Sequence, residues 1–450
     1  MAGTAHAGKR RIRVAPTISA SARGTRALAP IMPAVIVIYM FLLLPVETRP
    51  TVFGVNLPIY RIGILIFVPF LLARLGGGRA RFLFPDWLMV LAGLWTIVSF
   101  ALLYGLGKGV VSAIGIIVDF GGAYVLGRMA IDGVNGLRRF FILISPGLAL
   151  AGAEVMLESL SGRLLVRPFF QSIFGTVTAF DAGRASGAVA LLETERLGLL
   201  RGYGPFSHPI LGGSVLVSLL PLWIRGGFRS WPRWLGLFAA FAGLFSVSSA
   251  AVLGIAVGIA LCFLDWSKRF FAGLNWPTLS VLIVLSFIAV ELLTGRGVAG
   301  LLAQASLDPV TAAWRFLIWD YGWRTVEQNP WIGIGYEQWV RPDFMLSDSI
   351  DAHWLALAVR NGLPVPFLII LTILIGMIGT ALRSMRSGWP DRGLLVSLNF
   401  TMTVMLVMAM TVNFFGESNI WFMILVGMLA SLSAGMRVDR RGSLVLGEDR

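Results

Sequence analysis

Down its whole length this chain repeats uninterrupted apolar stretches of about 17 to 25 residues, each long enough to cross roughly 30 Å of hydrocarbon as an α-helix. Strands of a transmembrane barrel are shorter and alternate in polarity. Composition agrees with helices in lipid. Of 450 residues, 57% are hydrophobic and 13% charged, and the mean hydropathy is +0.81, more apolar surface than a soluble fold keeps from water. The expected fold is all-α and polytopic, with spans at 30–46, 57–75, 84–105, 109–127, 140–160, 207–224, 233–248, 250–266, 274–293, 363–382, 393–414 and 419–436, twelve in all.

Charge then sets the orientation. The first 29 residues form a polar, basic tail, and no small-residue cleavage site follows the first apolar run, so that run reads as a retained anchor. With this tail inside, alternate links carry Arg74, Arg79 and Arg81; Arg128, Arg138 and Arg139; Arg225, Arg229 and Arg233; Lys268 and Arg269; Arg383, Arg386 and Arg392. The closing tail, 437–450, adds four more arginines, which places 24 of 37 basic residues on that side. All these links are short, where the positive-inside rule is reliable. The net charge of +14 is thus read as a topology signal, with no nucleic-acid partner expected. Both termini are expected in the cytoplasm of a bacterium, the chain in its inner membrane.

Two long loops remain outside, 161–206 and 294–352, within the membrane domain 30–436. Long links between spans usually carry function. The first holds Arg163, Arg167, Arg184, Arg196 and Arg201, then RGYGPFSHPILGG, with His208 where the chain re-enters the membrane. The second holds Arg296, Arg315, Arg324 and Arg341 and leads to His353. Neither contains lysine. Guanidinium groups bind phosphate oxygens in pairs and tolerate partial desolvation, which suits a pyrophosphate ligand. The chain has 34 arginines and three lysines, so arginine preference is also a compositional habit.

Asp308-Pro309 reads as the start of a helix that Asn329-Pro330 ends. Its aromatics, Trp314, Phe316, Trp319, Tyr321 and Trp323, fit either a helix in the headgroup layer or ordinary packing on the membrane domain. Arg324 stands four residues after Asp320, the spacing of a surface ion pair. Asp351 and His353 stand two apart at the second re-entry, and either can take a proton from a hydroxyl there. GRGVAG at 295–300 follows a membrane span instead of a strand, so it reads as a turn and not as a nucleotide site. No P-loop, H-E-x-x-H or D-x-D occurs, and the single cysteine, Cys262, offers neither a disulfide nor a metal site. No cofactor or metal is expected. Asp119, mid-span, fits a helix-to-helix hydrogen bond or the coupling group of a transporter.

In order and topology, GPFSHPILGG, TGR, NPWIGIGY and DAHWLALAVRNGLP resemble the O-antigen ligase and O-antigen polymerase superfamily, most closely its exopolysaccharide-type polymerases. The resemblance implies a metal-independent, inverting membrane glycosyltransferase. Its donor would be an undecaprenyl-pyrophosphate-linked oligosaccharide and its acceptor a glycan or lipid A-core, alongside membrane lipids and polysaccharide export proteins as partners. It assigns pyrophosphate binding to arginines of the outer loops, matched best by Arg201 and Arg296 and less closely by Arg184 and Arg324, with His208 beside them. It also implies a loop histidine that activates the acceptor. Here the chain departs: the usual His-Asn pair aligns with Asp351 and Ala352, so Asp351 and His353 both stand as candidates. FSVSSAAVLG also lacks the arginine frequent in that segment. Polymerase and ligase differ only in acceptor. A secondary transporter of a small anion such as bicarbonate, working through Asp119, is the rival from another class, and a structural subunit of an envelope complex is the third reading.

Overall fold

The computed structural model describes residues 30–175, 195–268 and 309–433, apart from 46, 53, 54, 77–80 and 346, together with residues 270 and 293 and two short strands near the C-terminus. It is a helical bundle. In chain order come α1 (Met32–Leu43), the hairpin β1 (Thr51–Val52) and β2 (Val55–Asn56), α2 (Ile59–Gly76) and α3 (Phe84–Tyr104). Next are α4 (Leu106–Ile117), a single π turn at Val118–Gly122, and α5 (Ala123–Ala130). Then follow α6 (Gly133–Ser161), α7 (Val166–Phe174), and the hairpin β3 (Glu195–Arg196) and β4 (Leu199–Leu200). After it lie α8 (Pro209–Ser218), α9 (Leu220–Arg225), α10 (Ser230–Ala242) and α11 (Ser249–Ser267). The last elements are α12 (Pro309–Gln328), α13 (His353–Asn361), α14 (Pro364–Arg386), α15 (Asp391–Met408), α16 (Glu417–Ser433), and the hairpin β5 (Met436–Val438) and β6 (Leu444–Leu446).

Among the described residues, six helical segments are long and apolar enough to cross a membrane: α3, α4 through α5, α6, α11, α14 and α15. Shorter apolar helices lie at 32–43, 59–73, 209–225 and 417–433, so this is a polytopic membrane protein. The expected span 274–293 lies outside the described residues. Prolines open many of these helices, at Pro33, Pro85, Pro209 and Pro364, where the missing N–H costs nothing. Helix α16 is buried on nearly all sides and crosses α5 so closely that a Cβ on Gly127 would lie 2.0 Å from the Ile424 carbonyl oxygen. Small residues at such a crossing let two backbones touch where lipid offers no hydrophobic drive.

Two features position the candidate site. The predicted span 393–414 ends sooner, at Met408, because the chain turns there and spends its carbonyls on another element: Ala409 and Val412 both accept from the His353 backbone N–H, at 2.8 and 3.1 Å. The second long loop, for its part, builds a small core of its own. Ile318 and Val326 of α12 pack with Trp339, Met345, Ile350 and the buried face of α13, and α12 is tied to the bundle by the Trp319 indole N–H on the Met410 carbonyl, at 3.1 Å. Helix α12 starts at Pro309 and ends at Gln328, as the Asp308-Pro309 and Asn329-Pro330 signals predict. Trp314, Phe316 and Trp323 remain exposed on it.

Candidate functional site

The first long loop is anchored by a carboxylate that the sequence reading passed over. Glu158, in the last turns of α6, is fully buried. One carboxylate oxygen accepts from the backbone N–H of Leu165 and Val166, at 2.8 and 3.0 Å, the other from Tyr203 and Gly204, at 2.9 and 2.8 Å. Four N–H donors on one carboxylate replace its water shell, which is how a buried charge becomes tolerable. The clamp fixes both flanks of the loop: the start of α7 and the turn that follows Arg201. Around it, the Arg167 guanidinium donates to Glu47 at 2.6 Å and lies 5.2 Å from the Tyr203 ring centre.

Arg201 is buried at this turn. His208 is buried as well and caps α8, its Nδ1 accepting the Ile210 N–H at 3.2 Å. A neutral His208 in this pose carries its proton on Nε2. Between them Ser207 donates from its hydroxyl to Glu417 at 2.9 Å, and Glu417 is the buried first residue of α16. The segment before Glu417 reaches the other re-entry point. Asn413 Oδ1 lies 3.4 Å from His353 Nδ1, and Phe414 and Phe422 flank the His353 ring at 5.2 and 5.7 Å. Residues 413–417 thus join the ends of the two long loops.

The loops also meet through charge. Arg315, on α12, is 7% exposed, and its Nε has no hydrogen-bond partner among the described residues. Burial pulls this guanidinium below its ordinary pKa; Asp351 opposes that pull, while Arg196, from the first loop, adds to it. Asp351 is half-buried and accepts from the Ser349 hydroxyl at 2.7 Å. Arg315 thus lies within electrostatic reach of Asp351 and of Arg196 from the first loop. Cations gathered with an uncompensated donor can bind an anion bearing several oxygens.

The candidates divide accordingly. His353 is buried under aromatic rings, and burial pushes its pKa down to about 4 against the partial compensation of Asn413. The imidazole is neutral at pH 7, but a base is most effective when its pKa lies near the working pH. Asp351 is only half-buried and acts electrostatically on Arg315. Arg324 points outward in the i,i+4 pair with Asp320, at 2.8 Å, stacked 4.8 Å over Tyr321. Arg184 and Arg296 lie outside the described residues. Arg315 was visible in the sequence only as one arginine among several. Its signal, a cation in the middle of an aromatic helix, becomes specific only when the helix is folded against Asp351.

Residues 234–370, from α10 into α14, match the O-antigen ligase family. That segment is similar to O-antigen ligases. The matched segment contains Arg315, Asp351 and His353, and the resemblance drawn from the re-entry motifs to the O-antigen ligase and polymerase superfamily holds. Arg201, His208 and Glu158 precede the matched segment in sequence, and the first loop touches it where the Gly202 N–H donates to the Phe245 carbonyl at 3.1 Å. No curated protein matches the chain.

Proposed function

We propose that this protein is a membrane glycosyltransferase that transfers an undecaprenyl-pyrophosphate-linked glycan to an acceptor sugar on the periplasmic face, as an exopolysaccharide or O-antigen polymerase or as a ligase. The observation that carries this reading is the buried Arg315, its Nε without a hydrogen-bond partner among the described residues and within electrostatic reach of Asp351 and Arg196, in a chain whose 234–370 segment matches O-antigen ligases. In the proposed reaction an acceptor hydroxyl attacks the anomeric carbon, its C–O bond to pyrophosphate breaks with inversion, and undecaprenyl pyrophosphate leaves. The hydroxyl proton passes to Asp351. Charge accumulates on the departing pyrophosphate, and Arg315, with Arg201 and Arg296 expected nearby, stabilises it. A well-placed donor in a site partly closed to water contributes about 3 kcal/mol. Buried guanidinium groups supply the compensation that a metal gives elsewhere, in keeping with the absence of a D-x-D motif.

His353 has a different part in this scheme: its backbone N–H and ring lock the start of α13 to the 409–414 turn, so that Asp351 is held still. The transporter reading draws no support from Asp119, whose two carboxylate oxygens are both taken by Arg61, at 2.8 and 2.5 Å. The test is a deletion strain complemented with Arg201→Ala, Asp351→Ala and His353→Ala, scored for polymer and for lipid-linked precursor. Single lipid-linked repeats accumulate if the enzyme is a polymerase, finished lipid-linked polymer if it is a ligase. Normal polymer from all three variants would remove the catalytic assignment.

A further inference from the structure

Asp119 and Arg61 are unabsorbed by the reaction above, and their surroundings are unusual. Asp119 lies in the π turn between α4 and α5, and π turns inside α-helices concentrate at functional sites. Arg61 reaches it from the start of α2 with a two-pronged grip, and both side chains keep partial exposure, 27% and 19%. The NPWIGIGY turn lies within electrostatic reach of this pair. Its Tyr336 is 57% exposed, with the edge of Phe100 at 5.3 Å and the stacked ring of Tyr104 at 6.4 Å. Arg360 lies 5.9 Å from the same ring. The charges of Asp119, Arg61 and Arg360 all act on the Tyr336 hydroxyl, so pair and platform share one locality.

The platform is rigidly held. Tyr104 Oη accepts the Tyr336 N–H at 2.5 Å, Trp95 donates to the Trp331 carbonyl at 2.9 Å, and Ser99 donates to the Ile332 carbonyl at 2.5 Å. A fixed aromatic face suits the C–H face of a pyranose, whose positively polarised hydrogens sit on the negative π surface. Each Asp119 oxygen keeps accepting capacity beyond its one bond to Arg61, so the pair still offers acceptors beside guanidinium donors, the set that vicinal hydroxyls need. Because Arg61 and Asp119 neutralise one another, the pair favours a polyhydroxyl ligand over a phosphate, which would call for uncompensated cations.

We propose that Tyr336, Tyr104 and the Arg61–Asp119 pair form a pyranose-binding subsite for the acceptor glycan, separate from the Arg315–Asp351 centre. The inference rests on the glycosyltransferase reading and adds to it where the acceptor lies. Arg360 is in the last turn of α13 and His353 in its first, so at about 1.5 Å per residue the platform stands roughly 10 Å from the re-entry point. A glycan running along α13 then places an internal sugar on Tyr336 and its terminal hydroxyl at Asp351.

The probe is the oligosaccharide repeat released from the source cell's own surface polysaccharide, free of lipid and pyrophosphate, titrated onto the full chain in nanodiscs. Tyr336→Ala is expected to weaken binding at least tenfold and Asp119→Asn at least fivefold. Tyr336→Phe, which keeps the ring and reports on folding, stays within twofold, as does Arg315→Gln, and inorganic pyrophosphate does not compete. In turnover, Tyr336→Ala raises the acceptor KM more than it lowers kcat. Binding by Tyr336→Ala equal to wild type, or displacement of the glycan by pyrophosphate, would overturn the subsite while wild-type turnover of lipid-linked repeats still supports the parent reading. Glycan binding without any such turnover would sink the parent reading instead.

Discussion

At the scale of single residues, buried charge decides most. Glu158 holds four backbone N–H groups with two oxygens; Glu158→Gln keeps one carbonyl and turns an amide N–H₂ toward donors. Leaving buried donors unmet costs about 1 to 3 kcal/mol each at the upper end of partial compensation, so a loss on the order of 3 kcal/mol is expected, seen as a fall in Tm of the purified protein. Arg324→Ala removes only an exposed i,i+4 pair and is expected to change stability by less than about 0.5 kcal/mol and leave polymer yield unchanged. His353 supplies the pH prediction. Its folded pKa of about 4 lies below the ordinary 6.5, so between these values the unfolded chain binds the proton that the folded chain refuses. The contribution is present above pH 6.5 and is lost as pH falls toward 4, on the order of 3 kcal/mol across the window. Tm measured at pH 7 and pH 4.5 should fall for wild type and fall less for His353→Asn. Of these features only the Arg324–Asp320 pair was legible in the sequence, from its four-residue spacing. Glu158 sits at the end of an apolar run with nothing to mark its four donors, and Asp351 and His353, two apart, look equivalent until folding buries one and leaves the other half open.

At the scale of elements, the sequence was a better guide. Apolar run lengths placed α3, α6, α11 and α14 within a few residues, because a span needs little more than hydrophobicity and length. Proline and asparagine bounded α12 for local steric reasons. The early end of α15 was hidden, since the carbonyls of Ala409 and Val412 are claimed by His353, distant in sequence. The seat of the second loop on α13 depends on Gly362, whose φ is +75° and whose added Cβ would lie 2.0 Å from the Trp331 carbonyl oxygen. Gly362→Ala therefore combines a left-handed backbone with a backbone clash. We expect a cost above about 1 kcal/mol and faster proteolysis between α12 and α13, with the membrane helices left intact.

At the scale of the molecule, the bundle brings two loops far apart in sequence to one end and joins them twice: through Ser207, Glu417, Asn413 and His353, and through the charges of Arg196, Arg315 and Asp351. A polytopic helical membrane protein was readable from the apolar runs, but the meeting of the loops was not, because it depends on how the helices pack. The central claim is that this junction cleaves a glycosyl–pyrophosphate bond. It is tested most directly by reconstituting the purified chain with undecaprenyl-pyrophosphate-linked repeats and measuring released undecaprenyl pyrophosphate together with the extended glycan. The account predicts both products from wild type and a fall of about a hundredfold with Arg315→Gln, the equivalent of roughly 3 kcal/mol of leaving-group stabilisation. Equal release from Arg315→Gln and wild type, or extension without any release of undecaprenyl pyrophosphate, would contradict it.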